Sequence, residues 1–195
     1  MQSKSKRLTT RQLTTIAILA AISAVLFMVE IPVVLFYKLD FSNLPVLLGA
    51  FAMGPGPATL ILLIKSLLLH TSSQGVGELA DFLMGFAMIL PAGLIYQRHK
   101  TRKGALIGLV VGTVAATIAG VLSNLWLMIP FYGAVYGMPV EQIVSMGQAL
   151  IPAIQDEWGF VLLITGPFNL VKWILISVVT LLVYKPLSPL LHHQG

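Results

Sequence analysis

Apolar residues dominate five stretches of the chain, and charged residues are largely confined to the connections between them. Each stretch is long enough for an α-helix to cross a hydrocarbon core of about 30 Å, which takes about 20 residues. The second stretch contains Gly54-Pro55-Gly56-Pro57, and prolines alternating with glycines interrupt a continuous helix. Dividing that stretch in two predicts six helices, at about residues 10–36, 44–53, 58–70, 78–97, 104–131 and 158–184.

The basic residues support an even number of spans. Nine of the twelve Lys and Arg residues precede the first span, fill the connection at 98–103 or follow the last span. Six spans place all nine on one face of the membrane, and basic residues are enriched on the cytoplasmic face. We therefore predict cytoplasmic N- and C-termini. The longer connections then face outward, which suggests a cavity that opens outward. Residues 132–157 alternate apolar and polar positions, as an amphipathic segment at the outer interface or over a cavity does.

Composition excludes a soluble fold. Hydrophobic residues make up 57% of the 195 residues and charged residues 10%, whereas a soluble domain carries about 25% charged residues. No polar stretch is long enough for a separate soluble domain, so we predict a single integral membrane domain over 1–195. The net charge of +5 reflects topology and contact with anionic lipid rather than nucleic-acid binding.

Motifs of enzymes and metal sites are missing from the sequence. There is no H-E-x-x-H, no G-x-S-x-G and no P-loop glycine pattern. The chain has no cysteine, and its four histidines lack ligand spacing. We predict no catalytic residue, no metal and no resident cofactor. If the protein moves a solute against a gradient, a partner or an ion must supply the energy.

Polar side chains inside the apolar spans are the strongest candidates for ligand binding. Lys172 lies near the middle of the last span, one helical turn after Asn169, so that both project from one face. A charge at that depth generally faces the bundle interior or a cavity. The alternative is that Lys172 pairs with Glu30 or snorkels. Asn124 in the fifth span either binds a ligand or hydrogen-bonds across helices, and Lys65 in the third span is better explained as a member of an internal ion pair.

The segment from Asp40 to Pro45 reads as a cap followed by a helix start. Ser42 or Asn43 can accept hydrogen bonds from free backbone amides, and proline suits an early helical position. The cap does not explain why the aromatic Phe41 lies between Asp40 and Asn43 at the outer opening of the predicted cavity. That arrangement suits a flat ligand with polar edges.

Small residues recur at four-residue spacing on two helices and allow close helix packing. On the fifth helix, from Gly104 to Gly120, we expect packing within the bundle. On the first helix, the pairs Ala17/Ala21 and Ala20/Ala24 serve either internal packing or a partner protein, and the pattern leaves both open.

Three motifs together with Asn169-x-x-Lys172 resemble a known family. They are the segment from Lys38 to Pro55, Gly75-Val-Gly-Glu-Leu-Ala-Asp-Phe-Leu-Met-Gly85 and Leu90-Pro-Ala-Gly-Leu-Ile-Tyr96. The chain resembles, over nearly its whole length, the riboflavin-specific substrate-binding (S) component of bacterial energy-coupling factor (ECF) transporters.

The resemblance implies a multi-pass protein of the bacterial cell membrane that binds riboflavin in an outward-open cavity. Such a protein joins a transmembrane coupling subunit and two cytoplasmic ATPases, whose hydrolysis drives inward release by toppling of the S component. The residues predicted to contact the coupling subunit are Ala17, Ala20, Ala21 and Ala24, without a choice of register. The residues predicted to bind the ligand are Asp40, Phe41, Asn43, Glu78, Asn124, Asn169 and Lys172.

Two departures from the family pattern concern the ligand. Relatives often have Asp where this chain has Asn43, and Asn where it has Asp81. Alternatively, Lys172 binds the phosphate of FMN. The competing hypotheses are an S component for another vitamin, a carrier acting without ATPases, an intramembrane enzyme using Lys172 or Glu30 as acid or base, and a purely structural membrane partner.

Overall fold

The computed structural model describes residues 8–69 and 75–192, with side chains of the last helix described as far as Tyr184. The described chain is mainly helical and contains one short antiparallel hairpin. Its elements are α1 (Thr10–Phe27), β1 (Ile31–Val34), β2 (Tyr37–Leu39), α2 (Asn43–Met53), α3 (Pro55–Leu68), α4 (Val76–Arg98), α5 (Arg102–Ser123), α6 (Ile129–Tyr136), α7 (Val140–Gln148), α8 (Glu157–Phe160) and α9 (Gly166–His192).

Two of the longest helices contain a π-helical turn. The turn Asn124–Met128 joins α5 to α6 in one helix of 35 residues, and the turn Val161–Thr165 joins α8 to α9. Counted as continuous helices, the described residues form seven, so the predicted count of six membrane-spanning helices is not confirmed. The additional helix is α7, in the connection where an amphipathic segment was predicted.

Four of these helices are long and apolar enough to cross a membrane, and α2 and α3 are shorter apolar helices. The four are Thr10–Phe27, Val76–Arg98, Arg102–Tyr136 and Glu157–Tyr184. Several features used in the prediction lie outside the described residues. These are Lys4, Lys6, Arg7, His70, residues 71–74 and His193, and the side chains of Lys185 and His192.

The predicted helix 10–36 is wrong in its last third, residues 28–36. Helix α1 ends at Phe27, and β1 and β2 follow as a hairpin in which Ile31 faces Leu39. Pro32 has no backbone N–H to donate and disfavours helical geometry at the residue before it. The β-branched pair Val33–Val34 then favours an extended strand. The hairpin contains Tyr37, and Asp40 follows it directly.

The predicted break between the second and third helices is confirmed. Helix α2 ends at Met53, and Gly54 has a φ of 94°, a conformation that favours glycine. Pro55 then opens α3 at a position where its missing N–H has no intrahelical partner to lose.

Buried apolar side chains form two clusters. The larger joins α1, α2, α3, α4, α5 and α9 around the fully buried rings of Phe51 and Trp173. The smaller joins the hairpin, both π-helical turns and α7, with Ile143 of α7 fully buried in it. The hairpin and α7 are therefore held by a core of their own at one end of the bundle.

The small residues of α5 pack within the bundle, as predicted. A Cβ added at Gly108 would lie 2.9 Å from the carbonyl oxygen of Ala92, and one at Gly112 would lie 2.7 Å from that of Met88. The backbones of α4 and α5 approach too closely for any larger residue. On α1, by contrast, the two alanine pairs point in different directions, since Ala17 and Ala21 are exposed and Ala20 is fully buried.

Candidate functional site

A cavity of about 830 Å³ lies between the end of α1, the hairpin, the first turns of α4, the first π-helical turn and α9. Its size is that of pockets for drug-sized ligands. Helix α4 contributes Gly77, Ala80, Asp81 and Met84, whose three- and four-residue spacing places them on one face. The end of α3 contributes Leu68 and Leu69, so the cavity gathers residues from six parts of the chain.

Lys172 and Asp40 form a buried ion pair at the cavity wall. The ammonium lies 2.7 Å from Oδ2 of Asp40, while the backbone N–H of Ser42 donates to Oδ1 over 2.9 Å. Burial alone raises the pKa of Asp40, but Lys172 and then Lys65 reverse this effect, and the pKa is lowered. The carboxylate is thus fixed by its loop and by α9.

Glu30, the partner suggested for Lys172 by the alternative interpretation, pairs instead with Lys38 at 2.5 Å in a half-exposed position. That alternative was right that Lys172 is paired and wrong about the partner. Both Lys172 and Asp40 still line the cavity, so the pairing does not remove them from a ligand's reach.

Lys65 forms a second buried ion pair behind the cavity wall. Its ammonium lies 2.5 Å from Oδ2 of Asp81 and also donates to Oγ of Ser42 and Oδ1 of Asn43. Asn43 in turn donates to Oδ1 of Asp81 over 2.9 Å. This agrees with the interpretation of Lys65 as an ion-pair member.

Asn124 lies where the hairpin meets the two π-helical turns. Its Oδ1 accepts a hydrogen bond of 2.9 Å from the Tyr37 hydroxyl, which is also 2.5 Å from the hydroxyl of Thr165. Burial is the main cause that raises the pKa of Tyr37, so its hydroxyl stays protonated. Asn169 lies one helical turn after Thr165 and donates to its carbonyl oxygen over 2.9 Å. π-Helical turns inside α-helices are frequent at functional sites.

Aromatic rings form part of the cavity wall. Phe36 and Tyr132 have ring centroids 5.1 Å apart, and Tyr37 and Phe168 stack with centroids 5.0 Å apart. All four rings belong to the cavity lining. Such walls fit the flat face of an aromatic ligand, with polar groups placed to meet its edges.

Five of the seven predicted ligand-binding residues line the cavity: Asp40, Glu78, Asn124, Asn169 and Lys172. Phe41 and Asn43 do not. Phe41 packs against the larger core, and Asn43 is buried between Lys65 and Asp81. Sequence reasoning missed Asp81 as a lining residue, although it lies three residues after Glu78 on the same helix.

The sequence and fold match those of a known family. Residues 11–184 match the family described as ECF transporter, substrate-specific component. The chain belongs to this family. It is therefore a membrane transporter component and not an enzyme, and the hypothesis of an intramembrane enzyme using Lys172 or Glu30 is wrong.

The chain is similar to curated proteins over almost its whole length. Riboflavin transporter RibU of Staphylococcus aureus is 32% identical over 183 residues, covering 91% of this chain and 90% of the relative. Riboflavin transporter FmnP of Bacillus subtilis is 27% identical over 192 residues, covering 94% and 95%.

Two solved structures share the fold. The S component of a bacterial ECF transporter aligns with a TM-score of 0.72 at 32% identity, covering 93% of this chain and 97% of that one. ThiT from Listeria monocytogenes aligns with a TM-score of 0.66 at 16% identity, covering 93% and 96%. The second likeness shows the fold alone.

Proposed function

We propose that this S component binds riboflavin in the 830 Å³ cavity and delivers it into the cell together with an ECF energising module. The observation that carries the proposal is the match to riboflavin transporters over about nine-tenths of both chains, at up to 32% identity. The family assignment supplies the transport role, and these relatives supply the ligand.

The cavity's chemistry suits riboflavin. The isoalloxazine ring needs apolar, preferably aromatic, walls and a few hydrogen-bonding groups at its pyrimidine edge, while the ribityl chain needs partners for its hydroxyls. The rings of Phe36, Tyr37, Tyr132 and Phe168 provide the walls. The amides and the buried ion pairs provide polar groups that are already held in position.

Formal charge favours riboflavin over FMN. Lys172, the cation that a phosphate would need, is already paired with Asp40 at 2.7 Å. The complete lining contains four acidic and two basic side chains, so an added phosphate would enter a cavity of negative formal charge. The acidic members are Glu30, Asp40, Glu78 and Asp81, and the basic members are Lys38 and Lys172.

The coupling subunit is proposed to contact the outer face of α1. Ala17 and Ala21 are exposed on that face, whereas Ala20 is buried and Ala24 belongs to the cavity lining. This exposure favours the Ala17/Ala21 register for close approach of a partner helix. In this arrangement the chain is a multi-pass protein of the bacterial cell membrane with cytoplasmic termini and an outward-facing cavity. Two cytoplasmic ATPases supply the energy.

Uptake in whole cells tests the proposal. A bacterial strain lacking its own riboflavin transporter is given this chain with an ECF coupling subunit and two ATPases, and entry of radiolabelled riboflavin is measured. We expect uptake that unlabelled riboflavin competes away and that an inactive ATPase abolishes. Uptake that continues without working ATPases would instead favour a stand-alone carrier, and no uptake with all subunits present would contradict the proposal.

A further inference from the structure

Asp81 lies between the cavity and the buried Lys65. The residue belongs to the cavity lining, although only 6% of it is exposed. On the other side, Lys65 Nζ contacts Oδ2 and Asn43 Nδ2 contacts Oδ1, at 2.5 and 2.9 Å. Each carboxylate oxygen has room for about two hydrogen bonds. Both oxygens therefore have a partner inside the protein, and each can accept a further hydrogen bond.

Lys65 does not itself line the cavity. It is 1% exposed, and its three donors are matched by acceptors on Ser42, Asn43 and Asp81. A lysine in an apolar span is costly to bury unless it is paired. Its role is therefore to balance the charge of Asp81 and hold the carboxylate in one orientation.

The Lys65–Asp81 pair also interacts electrostatically with the pair of Lys172 and Asp40. Asp81 attracts the ammonium of Lys172, and Lys65 attracts the carboxylate of Asp40. The four charges of the two ion pairs therefore alternate in sign, and each is attracted by its neighbours.

We propose that Asp81 is a ligand-binding and specificity-determining residue, whose carboxylate accepts a hydrogen bond from an N–H or O–H donor of the bound flavin, and that Lys65 is its positioning residue. The inference rests on the proposed riboflavin function. An ionised carboxylate only accepts hydrogen bonds, so this part of the wall selects for a donor and against a ligand that presents a carbonyl or phosphate there.

Asn43 makes it possible to separate two roles of the Asp81 carboxylate, which are pairing with Lys65 and binding the ligand. It touches both members of the pair, since its Oδ1 lies 3.2 Å from Lys65 Nζ. The double exchange Asn43→Asp with Asp81→Asn keeps one carboxylate and one amide of nearly identical shape against Lys65. It moves the charge from the cavity wall to a residue that does not line the cavity.

The experiment compares the wild type with this exchanged variant by thermal unfolding and by quenching of riboflavin fluorescence, both in detergent. We expect similar unfolding temperatures and a Kd for riboflavin raised about three- to tenfold, because the amide oxygen that replaces the carboxylate accepts a weaker hydrogen bond than a charged group does. Asp156→Asn is the matched control, because Asp156 is an exposed helix cap outside the cavity.

Lumiflavin, which keeps the ring N–H but lacks the ribityl hydroxyls, identifies the donor. If the exchange weakens the binding of lumiflavin and of riboflavin equally, the donor is the ring N–H. If it weakens riboflavin alone, the donor is a ribityl hydroxyl. Either result supports the inference.

A folded exchanged variant that binds riboflavin as tightly as the wild type overturns the inference while leaving the proposed function intact. Failure of the wild type to bind riboflavin would instead overturn the proposed function. If the exchanged variant does not fold, Lys65→Met with Asp81→Asn removes both charges of the pair together. Unchanged riboflavin affinity in that variant is equally decisive against the inference.

Discussion

Replacing Lys172 by methionine tests whether the ion pair at the cavity wall is structurally important. Methionine keeps much of the side chain's length and removes the charge. Asp40, which is 4% exposed, would lose its partner at 2.7 Å and keep the N–H of Ser42 at 2.9 Å. Removing one member of a buried pair costs about 3–5 kcal/mol. The Ser42 hydrogen bond and the nearby charge of Lys65 place the expected loss near the lower end.

The matched control is Lys38→Met. Lys38 pairs with Glu30 at 2.5 Å, but their side chains are 51% and 28% exposed. Exposed pairs contribute about 0–1 kcal/mol. At about 2–4 °C per kcal/mol for a chain of this size, Lys172→Met should lower the unfolding temperature in detergent by about 6–12 °C and Lys38→Met by a few degrees at most.

A third variant separates stability from binding. Asp40→Asn combined with Lys172→Met removes both charges, and replacing a whole buried pair is often neutral. We expect it to regain most of the lost stability but to bind riboflavin about 10-fold or more weakly, because a charged donor is missing from the cavity wall. Equal unfolding temperatures for Lys172→Met and Lys38→Met would refute the reasoning about the buried pair. Wild-type affinity in the double variant would refute the binding role.

Three further predictions concern packing, partners and ligand choice. Gly120→Ala should weaken riboflavin binding, because its Cβ would lie 2.8 Å from the Asn169 side chain, whereas Gly56→Ala, with open space around its Cβ, should not. Leucine at Ala17 and Ala21 should abolish uptake in cells while leaving riboflavin binding by the purified protein unchanged. FMN should bind at least about tenfold more weakly than riboflavin in a titration, since the cavity's formal charge is negative; equal affinities would contradict the charge argument.

The helices were largely predictable because apolar runs and helix breakers act locally. The break at Gly54 depends on the backbone preferences of a glycine and two prolines that are adjacent in the chain. The hairpin after Phe27 was missed because Ile31 to Val34 are as apolar as a helix in the membrane. Pro32 beside two β-branched residues was the available signal.

The cavity's ion pairs were less predictable because they join distant parts of the chain. Lys172 and Asp40 are 132 residues apart, and the pattern alone did not show which of several acidic residues would meet the lysine. Lys65 and Asp81 lie on different helices whose relative rotation depends on packing. The π-helical turn at Asn124 likewise has no simple sequence signal, although Asn124 itself was predicted as a site residue because it is polar within an apolar span.

The structure also separates the two alanine pairs of α1, which the sequence left equivalent. Both follow a four-residue spacing, but only the orientation of α1 against α2 and α3 shows that Ala20 is buried and that Ala17 and Ala21 are exposed. A spacing identifies a helix face and does not show what that face contacts.

The most direct test of the central claim is the ligand carried by the purified protein. The chain is expressed in flavin-replete cells and purified in detergent, its absorption spectrum is recorded, and the released ligand is identified by mass. We expect flavin bands at near-stoichiometric amount and the mass of riboflavin. A colourless protein that also fails to quench the fluorescence of added riboflavin would contradict the assignment of this cavity to riboflavin.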